Sequence, residues 1–202
     1  FVAGKINIFK SDLVHLHWIG HDTISIKEIN KIKAPIVWTL HDLWPISGIE
    51  HYNYDKSYLN GYINSNGILN INFLNKLVWA KKYQLFKSKN ITLVAPSNWM
   101  MKQVNDSMIF ESDRVEVIGN PIDVDFWKPE INNFLRSKLK ISSEKVILLF
   151  GSYGDVNNLN KGFDLLIDSL KKINYDTNNL FLCTFGGGNK GFNKIRDLNI
   201  YN

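Results

Sequence analysis

The chain has 202 residues, 45% hydrophobic and 21% charged, with 24 basic against 19 acidic side chains and a formal net charge of +5. It is long and apolar enough to bury a core, which excludes a disordered chain. Its lysines are interspersed with acids rather than gathered into a run, which excludes a nucleic-acid stripe and suits either a solvated surface or an anionic membrane face.

In chain order, short β-branched runs alternate with helical patterns. Strands are expected over residues 13–17, 36–40, 91–95, 115–118, 146–150 and 180–185, and helices over 23–32, 73–86, 98–105, 131–139 and 163–173. Strand, helix, strand in repetition predicts an α/β fold with parallel sheets covered on both faces. Between residues 120 and 144 the texture changes: Asn120-Pro121 and Lys128-Pro129 punctuate a segment with the aromatics Phe126 and Trp127, and a domain boundary is expected there. Four predicted strands precede it and two follow, where a doubly wound domain has about six.

No apolar stretch reaches the roughly 18 residues that span a bilayer, and the opening Phe1-Val2-Ala3-Gly4 lacks the features of a signal peptide. With no initial methionine, an interior piece of a longer protein is expected. The single Cys183 can form no internal disulfide and suits a buried thiol in a reducing compartment.

His15-Leu16-His17-Trp18-Ile19-Gly20-His21 places His15 and His17 on one strand face. A metal reading is disfavoured, because the His-x-His-x-Asp-His pattern of metallo-β-lactamases needs an acid where Ile19 stands. Hydrogen-bonded histidines are the expectation, with His17 and His21 near enough to the strand end to line a cleft. Trp38-Thr39-Leu40-His41-Asp42 ends the second strand in an imidazole and a carboxylate, where open α/β sheets bind ligands. His41 can accept a hydroxyl proton or donate to a phosphate or sugar oxygen, with Asp42 orienting it or shaping the loop. A capping His-Asp pair in a turn is the alternative.

The connection from residue 43 to about 72 carries Trp44, His51, Tyr52, Tyr54, Tyr58 and Tyr62. A loop so long is either a binding surface, its aromatic faces suited to sugar rings, or a packed Ω-loop covering the sheet. Further on, the apolar strand 146–150 ends in Gly151-Ser152, and ten residues after Gly151 comes Lys161-Gly162 before an amphipathic helix with Phe163, Leu166, Ile167 and Leu170 inward. A glycine turn, a helix start and a lysine together make a seat for a diphosphate. The spacing is not that of a P-loop, and a solvated lysine beside a turn glycine is the alternative. Gly186, Gly188 and Gly191 formally satisfy Gly-x-Gly-x-x-Gly, which keeps a nicotinamide-dependent oxidoreductase open.

Taken in order, Asp12-Leu13-Val14-His15-Leu16-His17-Trp18, Trp38-Thr39-Leu40-His41-Asp42-Leu43-Trp44-Pro45, Val94-Ala95-Pro96-Ser97-Asn98-Trp99, Val117-Ile118-Gly119-Asn120-Pro121-Ile122-Asp123 and Lys161-Gly162-Phe163 resemble the family 4 glycosyltransferases, in particular their bacterial surface-polysaccharide branch. The resemblance implies a GT-B fold of two Rossmann-like domains facing a cleft, both incomplete here. Residues 1–123 would be the later part of the acceptor domain, 124–144 a linker with a first helix, and 145–202 the start of the nucleotide-sugar donor domain.

It further implies a retaining hexosyl transfer from a nucleotide-diphosphate sugar to a saccharide or lipid-linked saccharide, in the cytoplasm and with peripheral contact at the inner membrane face. His41 and Lys161 would be catalytic. Gly151, Ser152, Lys161, Gly162, Gly186 and Gly188 would bind the donor, and His17, His21, Asp42 and Trp44 would line the acceptor cleft. No metal, cofactor or nucleic acid is called for.

Three departures stand out. Ser152-Tyr153 occupy the place where relatives commonly carry Arg, residues 49–61 hold no cysteine, and the Glu-x7-Glu donor-sugar region would lie beyond these residues. The chain by itself is therefore expected to be inactive, and a non-catalytic glycan-binding homologue is the other reading.

Overall fold

A computed structural model describes residues 1–20, 23–63, 71–110, 114–129, 133–153, 159–172, 179–186, 192–195 and 198–201. It divides into two compact units, Phe1–Asp123 and Val124–Asn202.

Unit 1 holds helices α1 (Val2–Ile8), α2 (Ile26–Lys31), α3 (Ile71–Phe86) and α4 (Asn98–Asp106), and strands β1 (Val14–Leu16), β2 (Ile36–Thr39), β3 (Ile91–Ala95) and β4 (Val115–Val117). The strands form one sheet in the order β1-β2-β3-β4, every pair parallel, with Leu16 beside Trp38, Trp38 beside Leu93 and Ala95 beside Val117. The central strands β2 and β3 are buried along nearly their whole length, as β-branched runs in a sheet covered on both faces must be. Trp38 packs edge-on against Phe86 at 5.9 Å between ring centroids, and Ile29, Ile36, Leu40, Ile91 and Leu93 complete a core from which water is excluded. Each such aliphatic side chain contributes about 1.5–3 kcal/mol by burial.

The helix starts follow from their caps. Ser25 accepts from the Glu28 N–H at 3.2 Å, and Ser97 from the Met100 N–H at 3.2 Å. Helix α1 was not expected, for it has no side-chain cap bond and no acid in its first turn. Tertiary bonds hold it instead. The Ala3 N–H donates to Glu28 Oε2 at 3.0 Å, while Asn7 donates to the Lys31 carbonyl and accepts from the Lys33 N–H, each at 2.9 Å.

Unit 2 contains α5 (Phe134–Leu139), β5 (Val146–Gly151), α6 (Phe163–Lys172), β6 (Leu180–Phe185), β7 (Phe192–Ile195) and β8 (Leu198–Tyr201). Its sheet runs β5-β6-β8-β7, with β5, β6 and β8 parallel and β7 antiparallel to β8. Two strands were expected after residue 144 and four are present among the described residues. The last two interrupt their apolar residues with Asn193, Lys194 and Asn199, which masks the strand pattern. Strand β6 splits its side chains by the period of two: Leu180 and Leu182 meet the inner side of α6, and Phe181 and Cys183 meet Ile141 on the other face. Burial pushes the Cys183 thiol above its ordinary value, as expected of an inert packing thiol. Among the described residues no helix is long and apolar enough to cross a membrane.

Candidate functional site

Because β1 and β2 are parallel neighbours, their carboxyl ends deliver His17 and His41 to the same edge of the sheet. There His17 Nδ1 lies 3.0 Å from His41 Nε2, so one ring holds the shared proton and the other accepts it. Behind them, the His15 ring lies 4.3 Å from that of His17 at a 40° tilt, and its Nε2 bonds Thr39 Oγ1 at 2.9 Å. His17 and His41 are exposed, which leaves a paired imidazole at the surface able to take or give a proton. Among the described residues no group of three or more His, Cys, Asp or Glu is arranged to hold a metal ion.

Asp42 spends its oxygens on the loop. Oδ1 accepts from the Trp44 N–H at 3.0 Å, and Oδ2 accepts from Trp18 Nε1 at 2.9 Å and from His51 Nδ1 at 2.6 Å. Of the two roles open to it, it therefore shapes the loop, and no described contact joins it to His41. Together His41, Asp42, Trp44, His51, Trp18 and Thr39 line a small cavity beyond the strand ends. His51 and Trp18 were not singled out as site residues in the sequence. His51 is nine positions from Asp42, and no local periodicity marks the pair.

Over its described residues 43–63 the long connection is packed, with Tyr52 and Tyr54 exposed. Lys82 of α3, wholly buried, donates to the carbonyls of Trp44, Ser47 (3.1 Å) and Gly48 (2.6 Å), with its ammonium 3.6 Å from the centroid of the Trp44 ring. Glu50 accepts from Tyr62 Oη and Asn75 Nδ2, each at 2.7 Å, and the Tyr62 hydroxyl in turn accepts from the Gly48 N–H at 2.8 Å. Tyr58 Oη donates to Gln103 Oε1 at 2.7 Å, pinning the loop to α4. Tyr58 and Tyr62 are thus buried and present no face to a sugar, whereas Tyr52 and Tyr54 are exposed.

Burial, assisted by the Asp106 charge, pushes the Tyr58 hydroxyl up to about 12. Burial and the bond to Glu50 raise Tyr62 further, against the opposing pull of the Gly48 N–H. A folded value above the unfolded one of about 10 favours the fold at lower pH, and that contribution is lost as pH climbs through the folded value. In a titration followed at 295 nm, two of the eight tyrosines should therefore resist ionisation until unfolding, and Tyr58→Phe should reduce them to one. Eight phenols ionising together near pH 10 in folded protein would contradict the packing.

In unit 2, the Phe150 and Phe163 rings stand 5.1 Å apart, which ties the end of β5 to the start of α6. The residues flanking those rings are Gly151-Ser152 and Lys161-Gly162. Lys161 is exposed at the end of a 3-10 turn (Leu159–Lys161), and Gly162 adopts φ +73° just before the helix. A Cβ on Gly151 would come within 2.3 Å of the Phe185 ring. Ser152 is buried, its N–H donating to the Phe185 carbonyl at 3.0 Å.

Gly186 has φ +114°, and a Cβ there would sit 1.6 Å from the Ser152 carbonyl oxygen. This backbone crossing requires glycine for packing alone. Gly186→Ala is accordingly expected to cost unit 2 about 2–4 kcal/mol, from strain plus displacement of the β5 turn, and a thermal shift under 2 °C would refute that. His21 and Gly188, both predicted site residues, lie outside the described residues.

The Glycosyltransferase Family 4 profile matches residues 3–126, more than half of the chain. No curated protein matches. Among solved structures, Anabaena Alr3699/HepE in complex with UDP and glucose is similar at 16% identity and a TM-score of 0.57, covering 91% of this chain and 42% of that one. The same protein with UDP-glucose gives 16% and 0.55, covering 92% and 43%. A glycosyltransferase from Rickettsia africae ESF-5 is 20% identical with a TM-score of 0.49, covering 91% and 41%. The chain thus spans less than half the length of these neighbours, and the likeness to HepE supports the GT-B fold. With the all-parallel sheet of unit 1 and a profile match running from α1 past the end of β4, the chain belongs to Glycosyltransferase Family 4.

Proposed function

We infer that the full-length protein is a retaining glycosyltransferase that moves a hexose from a nucleotide-diphosphate sugar to a saccharide or lipid-linked saccharide in polysaccharide biosynthesis. The observation that carries this is the His17–His41 imidazole pair, held at the carboxyl edge of a family 4 sheet over a loop organised by Asp42. Breaking a glycosyl–phosphate bond builds negative charge on the leaving diphosphate, so the reaction needs fixed donors and cations rather than a strong acid. His41 contributes a hydrogen bond to the donor's sugar or phosphate. Lys161 neutralises the departing diphosphate, Gly151, Ser152 and Gly162 form the turns that seat it, and Gly186 and Gly188 border the base.

Unit 1 takes the acceptor, with His17, His21, Asp42 and Trp44 lining its side, and residues 145–202 take the donor. HepE, solved with UDP and with UDP-glucose, supports a nucleotide sugar as the donor. The reading calls for no metal or further cofactor and places the enzyme in the cytoplasm, in peripheral contact with the membrane. Membership of the family favours transfer over nicotinamide chemistry at Gly186.

The test is to incubate the full-length protein with UDP-glucose and other nucleotide sugars and follow release of nucleoside diphosphate. Proton NMR of the product then reads the anomeric configuration. An inverted product would end the retaining assignment, and binding of donors without any release would favour a non-catalytic glycan-binding homologue.

A further inference from the structure

A second cavity, of about 480 Å3, adjoins the first and shares Trp44 and His51 with it. Its apolar side is built by Ile24 and Ile26, and its polar side by Lys27 of α2 and Lys81 of α3, helices that pack against each other. Both lysines are exposed, and among the described residues neither is in an ion pair and no carboxylate lines this cavity. Asp42, which faces the first cavity, has its oxygens committed to Trp18, Trp44 and His51. Two exposed ammonium groups around one concavity, with no carboxylate among its described lining residues, create a positive potential. Low-dielectric walls focus that potential on whatever enters.

We propose that this cavity binds an anionic group, phosphate or carboxylate, carried by the acceptor saccharide at a distance from its reacting hydroxyl. Trp44 and His51 line both cavities, so a molecule held in the second, its ring beside the Trp44 indole and its charge near Lys27 and Lys81, lies next to the first. That the molecule is the acceptor rests on the transferase reading, whereas the preference for an anion stands on the cavity alone.

In the full-length protein without donor, glucose 1-phosphate, glucuronate and glucose are each titrated by calorimetry. Both anions should bind at least about tenfold more tightly than glucose. The Lys27→Gln/Lys81→Gln variant should remove that advantage and leave glucose unchanged, while Lys76→Gln, exposed on α3 but outside the cavity, should leave all three affinities as they were. A preference between the two anions identifies phosphate or carboxylate as the group bound. Equal affinity for all three sugars overturns the proposal, and so does a Lys76→Gln effect as large as that of the paired variant. Failure of the transferase reading is separately visible, as absent nucleotide-sugar consumption with the anion preference intact.

Discussion

Lys161→Ala in the full-length protein is expected to lower turnover by about 100- to 1,000-fold, the usual cost of removing one preorganised stabiliser of a developing oxyanion. Nothing in the fold depends on this side chain: it is exposed, and the Phe150–Phe163 contact that sets the turn lies on either side of it. Thermal stability should therefore stay within about 0.5 kcal/mol of the parent, separating a chemical loss from a folding one. His41→Ala should lose about 100-fold or more, and His17→Ala less, because His17 touches His41 rather than the donor. Undiminished turnover in both the Lys161 and His41 variants would remove the proposed mechanism.

Lys82→Met should unfold unit 1 about 10 °C earlier, for a loss of about 2–3 kcal/mol. Three carbonyls, of Trp44, Ser47 and Gly48, would face a thioether that donates nothing. Removing the ammonium also removes the cost of burying it, so the net loss falls below the sum of three orphaned acceptors. That burial cost is visible in its titration: desolvation drives Lys82 well below its ordinary 10.5, while the Asp42 and Glu50 charges pull it back.

For a lysine depressed on folding, the unfolded chain binds more protons between the folded value and 10.5, so stability rises with pH across that window. The Met variant should lack this slope. A melting shift under about 2 °C, or identical slopes for the two proteins, would show that Lys82 does not hold the loop. Because the same carbonyl of Trp44 neighbours the bond that fixes Asp42, the variant should also change the near-ultraviolet signal of the indoles around the first cavity.

The strands of both cores were legible because burial on two faces favours nearly continuous apolar and β-branched runs, as in Ile36-Val37-Trp38-Thr39 and Leu180-Phe181-Leu182-Cys183. A strand end in an open α/β sheet is also a place with chemical meaning, so His41 and Asp42 could be picked out from their position, whereas Trp44 entered with the long loop and the family resemblance. Helix α1 escaped because its stabilising partners, Glu28 and Lys31, lie on another element. The β7–β8 pair escaped because polar residues interrupt its apolar pattern.

What the sequence determined by itself is the alternation of strands and helices and the identity of the groups that cap them, since both depend on neighbours a few positions away. What only the tertiary structure decided is which of those groups meet. His17 and His41 are 24 positions apart and touch because β1 and β2 are parallel neighbours in register. Lys82 reaches a carbonyl 38 positions away, and two of the loop's tyrosines turn inward to Glu50 and Gln103 while two stay in solvent. Such pairings depend on register and on the desolvation of buried polar groups. Chain spacing carries no record of either.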